Sequence, residues 1–151
     1  MDITVRVERG VPGRPGVERL RRVVARVLEA ERVTENAEVS LLVTTQEEVH
    51  RLNRIHRHKD HPTDVLSFYM TEGPPADFVT PPEGLRHLGE VIISYPQAVI
   101  QARERRHSIR REMAILTVHG VLHLLGYDHE EDDDAARMEA RERAILGEIE
   151  A

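Results

Sequence analysis

The chain has 151 residues, of which 40% are hydrophobic, with a formal net charge of −6, no cysteine and no tryptophan. That length and apolar content suit a single domain over residues 1–151 with a real core, and the absence of cysteine excludes disulfides and thiolate metal sites, so any metal must be held by histidine or carboxylate. Overall acidity argues against tight non-specific binding to a polyanion such as duplex DNA, and no run of apolar residues is long enough to cross a membrane as a helix, so a cytoplasmic protein is expected.

Residues 2–8 alternate apolar Ile3, Val5 and Val7 with polar neighbours, the pattern of a half-buried strand. Pro12-Gly13 and Pro15-Gly16 then break the chain. Val17, Leu20, Val23, Val24, Val27 and Leu28 recur at spacings of three and four, which predicts a helix reaching to about Arg32. Val39 to Val43 reads as a second strand, apolar enough to be covered on both faces. Thr45 with Glu48 has the spacing of a capping box, and Val49, Leu52 and Ile55 continue a helix toward His56.

A basic, histidine-rich turn from His56 to His61 follows, and Pro62 ends the helix before a β-rich run from Val65 to Tyr69. Gly73, Pro74, Pro75, Pro81, Pro82 and Gly84 predict an irregular surface loop. Leu88 to Ser94 supplies a fourth strand, and Pro96 suits the first turn of another helix. Two arginine-rich stretches stand out in this acidic chain: Arg51, Arg54, Arg57 and Lys59, and then Arg103, Arg105, Arg106, Arg110 and Arg111. Each reads either as a solvated helix face or as a local phosphate-binding patch.

From Met113 to Leu125 the chain is apolar almost all round, which predicts a buried helix. His119 and His123 fall within it, four apart, so both project from one face. Gly126 provides a helix stop in the left-handed conformation, turning the chain so that His129 can return toward the same point. An imidazole in so apolar a setting costs a few kcal/mol unless partnered, roughly. Two at helical spacing plus a third beyond a glycine stop predict a metal site made of His119, His123 and His129. Glu130, Glu131, Asp132, Asp133 and Asp134 then precede a final helix, where carboxylates suit the helix N-terminus. Asp128 or this acidic run could also supply a hydrogen-bond partner to a ligand histidine.

Three neutral imidazoles leave an open position on a tetrahedral zinc, the arrangement of a catalytic site; a structural zinc fills all four with protein ligands. The spacing matches the metzincin pattern H-E-x-x-H-x-x-G-x-x-H, whose glutamate is the general base. Gly120 stands in that place, so a metallopeptidase is the alternative and not the first reading. A non-catalytic factor with a structural metal is a second alternative.

The block His119-Gly120-Val121-Leu122-His123-Leu124-Leu125-Gly126-Tyr127-Asp128-His129 resembles the H-G-x-L-H-L-x-G-Y-D-H motif of the YbeY family, bacterial single-strand-specific endoribonucleases that mature ribosomal RNA. Arg57 with Lys59-Asp60 and Pro62 to Phe68, and Leu88 to Ser94, resemble two further blocks of that family. Tyr69, where many relatives carry proline, and the proline-rich loop depart from it. The resemblance implies an α/β (α+β) fold: a small, mostly parallel mixed four-stranded sheet packed with about five helices, the metal-binding helix buried.

It further implies one bound Zn2+ or another divalent transition metal on His119, His123 and His129, and Arg57 as the catalytic arginine facing it. The implied substrate is ribosomal RNA, at the 3′ end of the 16S molecule and in ribosome quality control. The implied partners are the small ribosomal subunit and its assembly factors, with no membrane and no DNA. Physical chemistry agrees, because phosphodiester cleavage develops negative charge that a metal ion and an arginine fork both stabilise. The chain holds five Phe and Tyr residues in all, few for stacking bases, so weak binding of free RNA is expected.

Overall fold

The computed structural model describes residues 2–11, 15–33, 36–57, 65–69, 86–127 and 131–150; at 55–57, 69, 86 and 150 it describes the backbone alone. In chain order the elements are β1 (Asp2–Val7), α1 (Val17–Ala30), β2 (Ala37–Thr44), α2 (Gln46–Arg57), β3 (Val65–Tyr69), β4 (Arg86–Ser94), α3 (Tyr95–Glu104), α4 (Ile109–Leu124) and α5 (Asp132–Glu150). This is the predicted α/β architecture. The strands form one sheet in the order β1-β2-β4-β3. β1 pairs with β2 and β2 with β4 in parallel, whereas β3 runs antiparallel to β4. Among the described residues no helix is long and apolar enough to cross a membrane.

The helices divide between the two faces of the sheet. On one face α1 and α4 cover a core that includes Leu20, Val24, Val27, Leu41, Val43, Ile93, Val118, Val121 and Leu122, all fully or almost fully buried. On the other, α2 lays Val49 onto Leu66 and Ile92, with Leu42, Leu52 and Phe68 packed beside them. The central strand β2 is therefore covered on both sides, which explains its near-continuous apolar run. Edge strand β1 keeps only the alternation, with Val5 inward.

Helix starts follow the expected chemistry with one difference. The Ser94 hydroxyl accepts from the Gln97 N–H, with Pro96 in the first turn of α3. At α2 the Thr45 hydroxyl accepts from the Glu48 N–H at 3.3 Å. The Glu48 carboxylate instead takes Arg51 at 2.9 Å, so half of the capping box forms and the side chain is drawn to its i+3 cation. The proline-rich segment 73–84 lies outside the described residues.

α4 is the element around which the others pack, touching α1, α3, α5, β3 and β4. Its N-cap is Ser108, whose hydroxyl accepts from the Arg111 N–H at 3.0 Å. Just inside, the fully buried Glu112 carboxylate takes Arg105 at 2.9 Å and His107 Nε2 at 2.6 Å. A buried charge needs such partners, and here they lock the α3–α4 turn onto the helix.

Candidate metal centre

The buried run in α4 places His119 and His123 one turn apart near its C-terminal end. Both are half-buried, although most of their helical neighbours are fully buried. The helix ends as the sequence predicts. Gly126 has φ +103, its N–H reaches the His123 carbonyl at 3.1 Å, and the Tyr127 N–H reaches the Leu122 carbonyl at 3.1 Å. These two bonds close a Schellman motif, which satisfies the last carbonyls and reverses the chain. His129, the third predicted ligand, lies three residues past Gly126 and outside the described residues, as does Asp128. Among the described residues no three His, Asp or Glu side chains gather into a metal-holding group.

Gly120 is fixed by packing. A Cβ at this position would stand 2.5 Å from Val91 Cγ1 and 3.2 Å from Cγ2, with Val65 Cγ2 at 3.4 Å. α4 crosses the sheet here at glycine distance, and the Ser67 hydroxyl donates to the Gly120 carbonyl at 3.0 Å. The place that a metzincin gives to its glutamate is filled by the sheet itself, so the peptidase reading loses its base for a steric reason as well as a chemical one.

His119 Nδ1 lies 2.7 Å from Oε1 of Glu142 on α5. An ionised carboxylate only accepts, so the ring nitrogen is the donor. In the neutral ring this places the proton on Nδ1 and the lone pair on Nε2, the arrangement by which metal-binding histidines are commonly oriented. The His119 ring, so oriented, has the chemistry of a divalent-metal ligand. The carboxylate comes from the third turn of α5. The acidic run acts as expected at the helix start, with Asp132, Asp133 and Asp134 in its first turn, and Asp134 pairs with Arg137 at 3.3 Å.

A second linkage binds the exit from α4. The Tyr127 hydroxyl donates to the Glu31 carboxylate, which also receives Arg141 Nε at 2.9 Å, while the Arg141 guanidinium reaches the Ala30 carbonyl at 3.4 Å. Burial, followed by the hydrogen bond to Glu31, raises the Tyr127 pKa above its usual 10.0. Arg141 is held protonated above its ordinary value, first by the same carboxylate. Adjacent residues of α5 therefore make both contacts: Glu142 grips the His119 imidazole, and Arg141 holds the Glu31 carboxylate to which Tyr127 is bonded. Sequence separation hid both contacts.

Arg57 is the last residue of α2, on the opposite face of the sheet from α1. The turn that follows it, including Lys59, Asp60 and Thr63, lies outside the described residues.

The family model described as "Endoribonuclease YbeY" matches residues 12–150. An endoribonuclease YbeY of Chloroflexus aurantiacus is 48% identical over 145 residues, spanning 95% of this chain and 92% of its own. One from Roseiflexus castenholzii is 51% identical over 129 residues, 85% of this chain and 80% of its own. Among solved structures, the solution structure of TM1509 from Thermotoga maritima is similar with a TM-score of 0.63 at 26% identity, covering 97% of this chain and 88% of that one.

Proposed function

The chain belongs to the YbeY family of endoribonucleases, and on that premise we propose that it is a metal-dependent endoribonuclease acting on single-stranded RNA in ribosomal RNA maturation. His119, His123 and His129 hold one divalent ion, zinc in the first instance. Arg57 contacts the scissile phosphate. The whole chain, residues 1–151, acts as one catalytic domain in the cytoplasm, on RNA presented by the small ribosomal subunit and its assembly factors.

The observation that carries the metal reading is the 2.7 Å contact between His119 Nδ1 and Glu142. In the neutral ring it leaves the other nitrogen as the acceptor, which is what a ligand imidazole must be. When bound, a divalent ion at this place supplies Lewis-acid polarisation of a phosphate oxygen and a water of lowered pKa. The protein's own groups do the rest. Glu142 keeps the His119 ring oriented, and the Tyr127–Glu31–Arg141 linkage holds the exit from α4 at Tyr127. The Arg57 guanidinium, always charged and bidentate, neutralises charge on the non-bridging oxygens as the phosphodiester breaks. Packing of Gly120 against Val91 keeps any side chain out of that position on the helix.

The test is a cleavage assay with chelated and metal-reloaded protein on matched single-stranded and duplex RNA. Cleavage of the single strand that disappears on chelation and returns with metal is expected. Cleavage unaffected by chelation would refute the metal reading.

A further inference from the structure

Between the first turns of α1 and α4 lies a cleft of about 380 Å³, lined among others by Arg19, Arg22, Arg110, Ile109, Tyr95 and Met113. Among the described residues its lining contains three arginines and no carboxylate, in a chain whose net charge is −6. Among the described residues neither Arg22 nor Arg110 takes part in an ion pair. Arginines elsewhere on α1 are neutralised: Arg21 by Glu18, and Arg26 by Glu29 at 3.8 Å. The same three arginines also line an adjoining hollow of about 490 Å³ toward the end of α5, where Glu29 and Glu148 bound the positive ground.

The cleft is built in advance. Arg19 Nη1 donates to the Arg110 carbonyl at 3.0 Å, which ties the two walls together and orders one of the three guanidinium groups. The wall that carries Arg110 is stiffened from behind by the buried Glu112 with Arg105 and His107. Ordering these groups beforehand removes part of the entropy cost of binding. Cations gathered on a concave surface repel one another until an anion docks, and arginine's planar fork suits two phosphate oxygens at once. Ile109, 37% exposed at the rim, offers an apolar surface to a sugar or base. The volume lies within the ~300–1,000 Å³ of small-ligand sites, enough for one nucleotide.

We propose that this cleft is a second phosphate-binding subsite, formed by Arg19, Arg22 and Arg110, that holds the backbone of a single-stranded RNA away from the histidine centre. The inference rests on the endoribonuclease reading for the identity of its ligand. Ile109 and His119 stand at opposite ends of about ten residues of α4, roughly 15 Å. At about 3.4 Å per stacked nucleotide, a strand engaging both places needs on the order of five nucleotides. Substrate length should therefore govern affinity.

The test measures anisotropy of a labelled 2′-O-methyl RNA of about twelve nucleotides with metal-loaded protein, between about 50 and 200 mM salt. Arg22→Gln and Arg110→Gln are each expected to weaken binding about five-fold near 0.1 M salt and to lower the salt slope by about 0.7. Arg143→Gln, which removes an exposed arginine paired with Glu139 on α5, should leave both unchanged. A trinucleotide should bind all four proteins alike. Thermal melts check folding, which substitution of Arg22 or Arg110, both exposed, should not disturb.

Wild-type affinity in both cleft variants would overturn the proposal, as would an equal loss in Arg143→Gln, which would make the effect one of net charge. Binding of polyglutamate but not RNA at these arginines would overturn it in favour of an acidic protein partner. The reading of the catalytic centre is scored separately by cleavage. If the wild type cuts no RNA yet the cleft variants lose affinity as predicted, the subsite stands and the enzymatic reading falls.

Discussion

His119 on α4 and Glu142 on α5 face each other at 2.7 Å through Nδ1 and Oε1, with side chains 33% and 20% exposed. The contact sets the ring's tautomer and its rotation, so removing the carboxylate should weaken a metal at Nε2 without dismantling the fold. Glu142→Gln and Glu142→Ala are expected to lower metal affinity by about 10- to 100-fold, measured by competition with a chromophoric chelator. The melting temperature of the metal-free protein should shift little, because the pair is partly solvated. Unchanged metal affinity in both variants would show that Glu142 is only a surface neighbour.

Gly120 invites the opposite kind of test, one of packing. Alanine is the better helix former by about 1 kcal/mol, but its methyl would sit 2.5 Å from a stiff valine. Overpacking of this kind costs about 1–3 kcal/mol and exceeds the propensity gain in most of that range. Gly120→Ala should therefore be destabilised in urea titration. Adding Val91→Ala should restore part of the loss, although each change alone destabilises. Simple additivity of the two would contradict the contact.

Tyr127 gives a pH-dependent signature. Its folded pKa is raised above the unfolded value, first by burial and then by the hydrogen bond to Glu31. The neutral phenol is the form that the fold favours. Its contribution is fully present below pH 10 and is lost as pH rises through the folded pKa. Above about pH 10 the wild type should lose stability more steeply than Tyr127→Phe. At neutral pH the phenylalanine variant should be weaker by about 0.5–1.5 kcal/mol. Parallel pH profiles would rule out the linkage. The same variant should bind metal more weakly, since the turn to His129 begins at this residue.

Much of this was legible in the chain, and the division follows sequence distance. His119, His123 and Gly126 show themselves because helical spacing and a glycine stop are local signals, and the Schellman bonds at Gly126 and Tyr127 follow that expectation. β2 and the buried α4 are likewise visible as apolar runs. Glu142 is not, because it stands 23 residues from its partner, and the link from Tyr127 to Glu31 spans 96. No periodicity selects one glutamate of a charged helix such as α5 until that helix is docked. Proximity in sequence points instead to Asp128, which lies outside the described residues, or to the acidic run after His129 as the source of a carboxylate. Gly120 was legible as a missing base, whereas its steric cause lies in Val91 across the sheet.

In the proposed enzyme histidines and arginine divide the work, the first holding a metal ion and the second acting on phosphate. The most direct measurement pairs metal stoichiometry with single-stranded RNA cleavage for His123→Ala and Arg57→Ala, in tag-free protein. The account predicts that His123→Ala loses both metal and cleavage. Arg57→Ala should keep its metal and lose cleavage by about 10²- to 10³-fold. Cleavage at the wild-type rate in both variants, or full metal content in His123→Ala, would contradict it.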